Sequence, residues 1–170
     1  MKKELTKTIV FNSLLAAVYV ALTFIAIPIS FGQIQFRIAE ILVIFCFFNK
    51  KHSVGIILGT LISNLFSTLG LWDVLFGTFA TCLVCLFVSY SKHLLVAIIW
   101  PVLFNAIIIG VELYIVLGFG PIHLLFIHMG YVALGEFAVM VGAYILFTLL
   151  RKRKDFINLF LVTQNVDFKF

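Results

Sequence analysis

The sequence predicts an all-α integral membrane protein of six transmembrane helices with both termini in the cytoplasm, and three observations predict it. Hydrophobic residues make up 64% of the 170 and charged residues 11%, with a mean hydropathy of +1.22; soluble domains carry about 25% charged and about 45–50% apolar residues. The apolar residues come in long runs parted by short charged breaks, the pattern of a helical bundle and not the strict alternation of a β-barrel. The basic residues, finally, sort onto one side. Lys2, Lys3, Lys7, Lys50, Lys51, Lys92, the run Arg151-Lys152-Arg153-Lys154 and Lys169 share the side of both termini, and Arg37 alone falls opposite. Positive charge stays inside, and a seventh or a missing span would destroy that asymmetry. The same distribution accounts for the net charge of +5 without a nucleic-acid partner.

Each segment follows from length and punctuation. A helix rises ~1.5 Å per residue, so about 20 residues cross a ~30 Å hydrocarbon core. The first run, 8–29, is long enough. It is too long for a typical leader, lacks a small-x-small cleavage site and precedes further spans, so it reads as a span itself. Pro28, Ser30 and Gly32 end it. The second run, 36–48, is short and stops at Asn49-Lys50-Lys51-His52, so it starts below the outer surface. The third covers 53–69, with Gly70 at its end. The fourth runs from Trp72 and Asp73 to Ser89. The fifth, 94–117, contains Pro101, which predicts a kink. A Gly-Phe-Gly-Pro turn leads into the sixth, 123–150. Residues 1–154 thus form one membrane domain. The tail 155–170 is too polar to span and either lies on the inner surface or is disordered.

Nothing in the chain points to catalysis or to a resident cofactor or metal. It has no His-Glu-x-x-His, no Gly-x-Ser-x-Gly and no phosphate-cradling glycine loop. Cys46, Cys82 and Cys85 lie inside apolar runs, where they read as packing residues.

The information is in the polar residues of the spans, because an intramembrane acid is costly and functional by default. Glu40, Asp73, Glu112 and Glu136 are four such acids, joined by Asn64, Asn105 and His128. Helical arithmetic gathers most of them in the outward half, with Glu136 nearer mid-membrane. An apolar wall with a few convergent polar groups is what a small-molecule pocket needs. Each has a structural alternative. Arg37 and Glu40 can neutralise each other across one helical turn, Asp73 can cap the fourth helix, and the asparagines can bond neighbouring helices. Glu112 and Glu136 have the weakest such excuse, since no basic residue shares their depth. His52 and His93 flank inner loops and read as solvated. The stretch 29–36 reads as a lid, with Gln35 and Phe36 as ligand contacts, Arg37 orienting Glu40, and Glu40 touching the ligand.

Small residues at four-residue spacing mark packing faces. Gly55, Gly59 and Ser63 form one, Gly77 and Thr81 a second. Ser13, Ala17 and Ala21 form a third, which either packs internally or docks another membrane subunit.

Several stretches carry a family resemblance: Ile34-Gln35-Phe36-Arg37-Ile38-Ala39-Glu40, Asn64, Asp73-Val74-Leu75-Phe76-Gly77-Thr78-Phe79-Ala80-Thr81, Pro101-Val102-Leu103-Phe104-Asn105-Ala106 onward to Glu112-Leu113, and Gly130-Tyr131-Val132-Ala133-Leu134-Gly135-Glu136. On these the chain resembles the QueT family, the membrane-embedded substrate-binding (S) components of energy-coupling factor (ECF) transporters linked to queuosine precursors. The resemblance implies an S-component-like bundle that captures its substrate outside the cell without chemistry of its own. It implies docking through Ala17 and Ala21 to a transmembrane coupling subunit driven by two ATPases. It also implies a deazaguanine ligand with a basic amine: acids for the amine and the N–H edge, asparagine for the carbonyl, Trp72 or Phe36 for the ring. Two other readings stay open. One is a stand-alone proton-coupled carrier with Glu136 as relay; the other is an intramembrane redox enzyme using Cys82 and Cys85.

Overall fold

The computed structural model describes residues 2–26, 36–150 and 152. The expected lid before Phe36, the Gln35 contact and the tail 155–170 lie outside the described residues. Those residues form six helices: α1 Lys2–Ile25, α2 Ile38–Phe48, α3 Ser53–Asn64, α4 Leu71–Tyr90, α5 Leu94–Val116 and α6 His123–Leu150. Four stretches are long and apolar enough to cross a membrane: Glu4–Ile25, Leu71–Tyr90, Leu94–Val116 and Ile122–Leu150. The protein is a multi-pass membrane protein.

The other two helices are short. α3 has 12 residues, and α2 consists of seven 3-10 residues followed by four α-helical ones. At ~1.5–2.0 Å per residue neither reaches across a ~30 Å core. The expectation that the third segment continues to residue 69 is corrected. α3 ends at Asn64, and residues 65–70 fold into turns bonded from Phe66 N to Ser63 O and from Gly70 N to Ser67 O. Gly70, at φ 61°, turns the chain into α4; a side chain there would be strained.

Sequence explains the rest of the layout. α5 breaks at Ile98, between Leu94–Ala97 and Ile99–Val116. Pro101 lacks an amide hydrogen and its ring crowds the carbonyl one turn back, at Ala97, which accounts for an interruption at this place. α1 buries Asn12, Leu15, Tyr19 and Thr23, at three- and four-residue spacing. That face packs on α3 where α3 has only glycine: a Cβ on Gly55 would meet Asn12 O at 2.5 Å, and one on Gly59 would meet Tyr19 Cβ at 2.7 Å. The Gly55–Gly59–Ser63 stripe is therefore an internal joint. Asn12 also fastens it, its Oδ1 accepting Gly55 N–H at 2.8 Å, one of the orphan amides of the first turn of α3.

α2 touches α1, α3, α4 and α6. Ala39, Glu40, Val43, Ile44, Cys46, Phe47 and Phe48 are all buried, as befits a helix apolar nearly all round. Its C-terminal end packs with Val84, Val88, Leu94, Ala97 and Phe147 in the main core. A smaller core joins α4, α5 and α6 through Ala80, Ile109, Leu113 and Val132. The bundle is thus wrapped around α2, and the acid α2 carries lies at its centre.

Candidate functional site

The site begins with the 3-10 turns of α2. Three residues per turn eclipse side chains at i and i+3, so Glu40 and Val43 stand in one row, both buried, and Arg37, also buried, immediately precedes the first turn. Arg37 Nη2 makes an ion pair with Asp73 Oδ1 at 3.1 Å. The Ser67 hydroxyl donates to the other Asp73 oxygen, and Asn64 Nδ2 donates to the Asp73 carbonyl at 2.9 Å. Gly77, one turn further along α4, leaves room for this knot: a Cβ there would sit 2.6 Å from Asn64 Nδ2 and 3.4 Å from Arg37 Nη1.

This corrects the capping role expected of Asp73. Gly70 is the residue before α4, and no side chain caps that end. Asp73 lies within the first turn, and its carboxylate serves Arg37 and Ser67 across the gap between helices. Asn64 is the interhelical bond its alternative reading anticipated.

Glu40 is held from an unexpected direction. Tyr19 on α1 donates its hydroxyl to Glu40 Oε1 at 2.7 Å, and both residues are buried. Arg37 lies within electrostatic reach of Glu40, as it does of Asp73, Tyr19 and Glu112, so it helps to neutralise Glu40; the hydroxyl that fixes Glu40 is Tyr19. A tyrosine in mid-helix on the same face as Asn12 and Thr23 was the signal available in the sequence.

The remaining acids and amides lack comparable ties. Glu112 on α5 neighbours Asp73, and Glu136 on α6 neighbours Asn105 and Glu40. All of these are at most 2% exposed. Among the described residues neither carboxylate oxygen of Glu112 has a hydrogen-bond partner, nor does either amide atom of Asn105, Oε1 of Glu136 or Oε2 of Glu40. Leaving a buried polar atom unpaired costs about 1–3 kcal/mol. Six such atoms come from three helices, α2, α5 and α6: five are oxygens that can accept hydrogen bonds, and the sixth, Asn105 Nδ2, is a donor. Among the described residues, four buried carboxyl groups also face one buried guanidinium, a surplus that a cation or bound protons must balance.

The other expected contacts fall around this group. Phe36 is half-buried and packs on the main core. His128 is half-buried, its Nδ1 unpartnered among the described residues. Trp72 is 43% exposed and leans on Phe76 at 5.8 Å, so it is not part of the buried group. Ser13, Ala17 and Ala21 are all exposed, on the side of α1 away from Asn12 and Tyr19. Cys82 is half-buried, while Cys85 sits 3.6 Å from Cys46 Sγ to Sγ in the main core. Among the described residues no group of three or more His, Cys, Asp or Glu is arranged to hold a metal ion.

His52 departs from expectation. It is buried, with its ring 4.3 Å from that of Phe11. The turn that puts it there is fixed by Asn49, whose Oδ1 accepts Lys51 N–H at 3.0 Å. Burial lowers its pKa from 6.5 to about 4. His93 is exposed, as expected.

The family described as QueT transporter matches residues 9–152. The chain belongs to the QueT transporter family. A curated relative, the queuosine precursor transporter QueT of Lactococcus lactis subsp. cremoris (strain MG1363), is 42% identical over 83 residues. That match covers 48% of this chain and 48% of the relative, so the chain spans about half the length of the curated relative it matches. No solved structure matches the chain significantly. The family match takes in the whole buried group, from Tyr19 on α1 to Glu136 on α6.

Proposed function

We propose that this QueT family member is the S component of an ECF transporter, binding a queuosine precursor from outside the cell for ATP-driven uptake by partner subunits. The observation that carries the reading is the set of unpartnered oxygens and amide atoms on Glu40, Asn105, Glu112 and Glu136. A deazaguanine with an aminomethyl side arm is rich in the donors this surface lacks. Its ring N–H and amino groups pair with carboxylates, its carbonyl accepts from an amide, and its cationic amine offsets the surplus of acid. The relative's name, queuosine precursor transporter, points the same way.

In this reading all six helices belong to the membrane domain, with α2 and α3 dipping partway into it. Both termini face the cytoplasm, since exposed Lys50, Lys51, Lys92 and Lys152 then lie inside. The knot of Arg37, Asp73, Ser67 and Asn64 stands toward the outer side, braces the mouth, and leaves Arg37 engaged away from a cationic ligand. The exposed Ser13, Ala17 and Ala21 face docks the coupling subunit, because small residues let helices approach closely in lipid.

The test is uptake in proteoliposomes. The chain alone should bind precursor but not accumulate it, and accumulation should require the coupling subunit, both ATPases and ATP. Accumulation by the chain alone, driven by a pH gradient, would instead establish a proton-coupled carrier.

A further inference from the structure

We infer that Tyr19 is a positioning residue of the binding site, holding Glu40 so that one carboxylate oxygen stays turned toward the ligand. The inference rests on the proposed function above and adds a residue from α1, the helix whose opposite face is offered to a partner. Tyr19 is 2% exposed and Glu40 fully buried. The hydroxyl spends its proton on Glu40 Oε1 at 2.7 Å, while Oε2 has no hydrogen-bond partner among the described residues. Two oxygens of one carboxylate thus have two fates: one is anchored, the other is free to accept.

The anchor is itself held. Gly59 leaves no space behind the Tyr19 Cβ, only 2.7 Å from where a Gly59 Cβ would lie, and Thr60 stands beside the hydroxyl. A buried ring so clamped has little rotamer freedom, so its hydroxyl fixes the carboxylate plane at small entropic cost. The rest of α1 shows that this is a specific role. Asn12 and Thr23 on the same face bond backbone atoms, Gly55 N–H and Tyr19 O respectively. Tyr19 instead reaches an ionisable side chain of the cluster. Tyr19 also lies between Ala17 and Ala21 in sequence but on the opposite side of the helix, so the contact joins the pocket to the proposed docking helix through one side chain.

The experiment uses the full-length protein in nanodiscs, titrated with queuine and with 7-aminomethyl-7-deazaguanine. Tyr19→Phe keeps the ring and removes only the hydroxyl; it should raise Kd about tenfold, the effect of losing one charge-assisted hydrogen bond. A purely structural tyrosine would lower the melting temperature and leave Kd within twofold of wild type, which would overturn the inference. A second probe, 3-fluorotyrosine at position 19, keeps both ring and hydroxyl and decides the matter if Tyr19→Phe does not fold. Its fluorine resonance should shift on saturation with whichever compound binds; an unmoved resonance overturns the inference. A wild type that binds neither compound sinks the proposed function. The fluorine shift caused by Glu40→Gln without ligand then still tests the Tyr19–Glu40 contact, and no shift overturns it.

Discussion

Arg37 is 6% exposed and Asp73 fully buried, and a pair so deep is unforgiving of change to either member. Removing one partner of a buried ion pair costs up to about 3–5 kcal/mol, and Glu40 and Glu112, also within reach of Arg37, offset part of that. Asp73→Asn should therefore depress the melting temperature sharply, and the Arg37→Gln/Asp73→Asn double variant should lose less than the sum of its singles; additive losses would show that the two do not act together. His52 offers a pH test. Its folded pKa, about 4, lies below its ordinary 6.5, so the unfolded chain binds the extra proton first. The stability it contributes is complete above pH ~6.5 and is lost as pH falls toward ~4. A His52→Phe variant should show a flatter fall in melting temperature across that window; an identical fall would place the acid sensitivity elsewhere. At this scale the acids were legible in the sequence, since a carboxyl in an apolar run announces itself. Their partners were not. Tyr19 lies 21 residues from Glu40 and Asp73 lies 36 from Arg37, and nothing in local spacing says which side chains meet across helices.

Elements were easier to find than their ends. Apolar runs parted by lysines or by glycine and proline located all six helices, and Pro101 located the break in α5. The length of α3 was misjudged because residues 65–69 are apolar enough to continue a helix. It is stopped by turn bonds among Ser63, Asn64, Ser67 and Gly70. The 3-10 form of α2 was equally hidden, yet it sets Glu40 and Val43 in one row. α1 has two distinct faces: Asn12 and Tyr19 pack on the glycines of α3, while Ser13, Ala17 and Ala21 are exposed. On the proposed docking through this face, Ala17→Trp and Ala21→Trp should abolish co-purification with the coupling subunit and uptake, while precursor binding stays within about twofold of wild type. Loss of binding as well would mean that this face packs within the protein.

At the scale of the whole molecule, the bundle packs other helices around the short α2 and buries four acids within it. The family relationship reaches across this entire arrangement. Most of the architecture was legible because lipid imposes severe rules on length, charge placement and backbone bonding. The stock of buried polar atoms was legible only as residue types. Which of their oxygens and amide groups remain unsatisfied depends on packing that no window of sequence records. The measurement that bears most directly on the central claim is isothermal titration of the purified protein with queuine and 7-aminomethyl-7-deazaguanine, without ATP. Wild type, Glu40→Gln, Glu112→Gln and Glu136→Gln would be compared. Tight binding by wild type and a loss of about tenfold to a hundredfold in at least the Glu112 and Glu136 variants is the expected result, from hydrogen bonds to charged groups. Wild-type affinity in all three variants would contradict it.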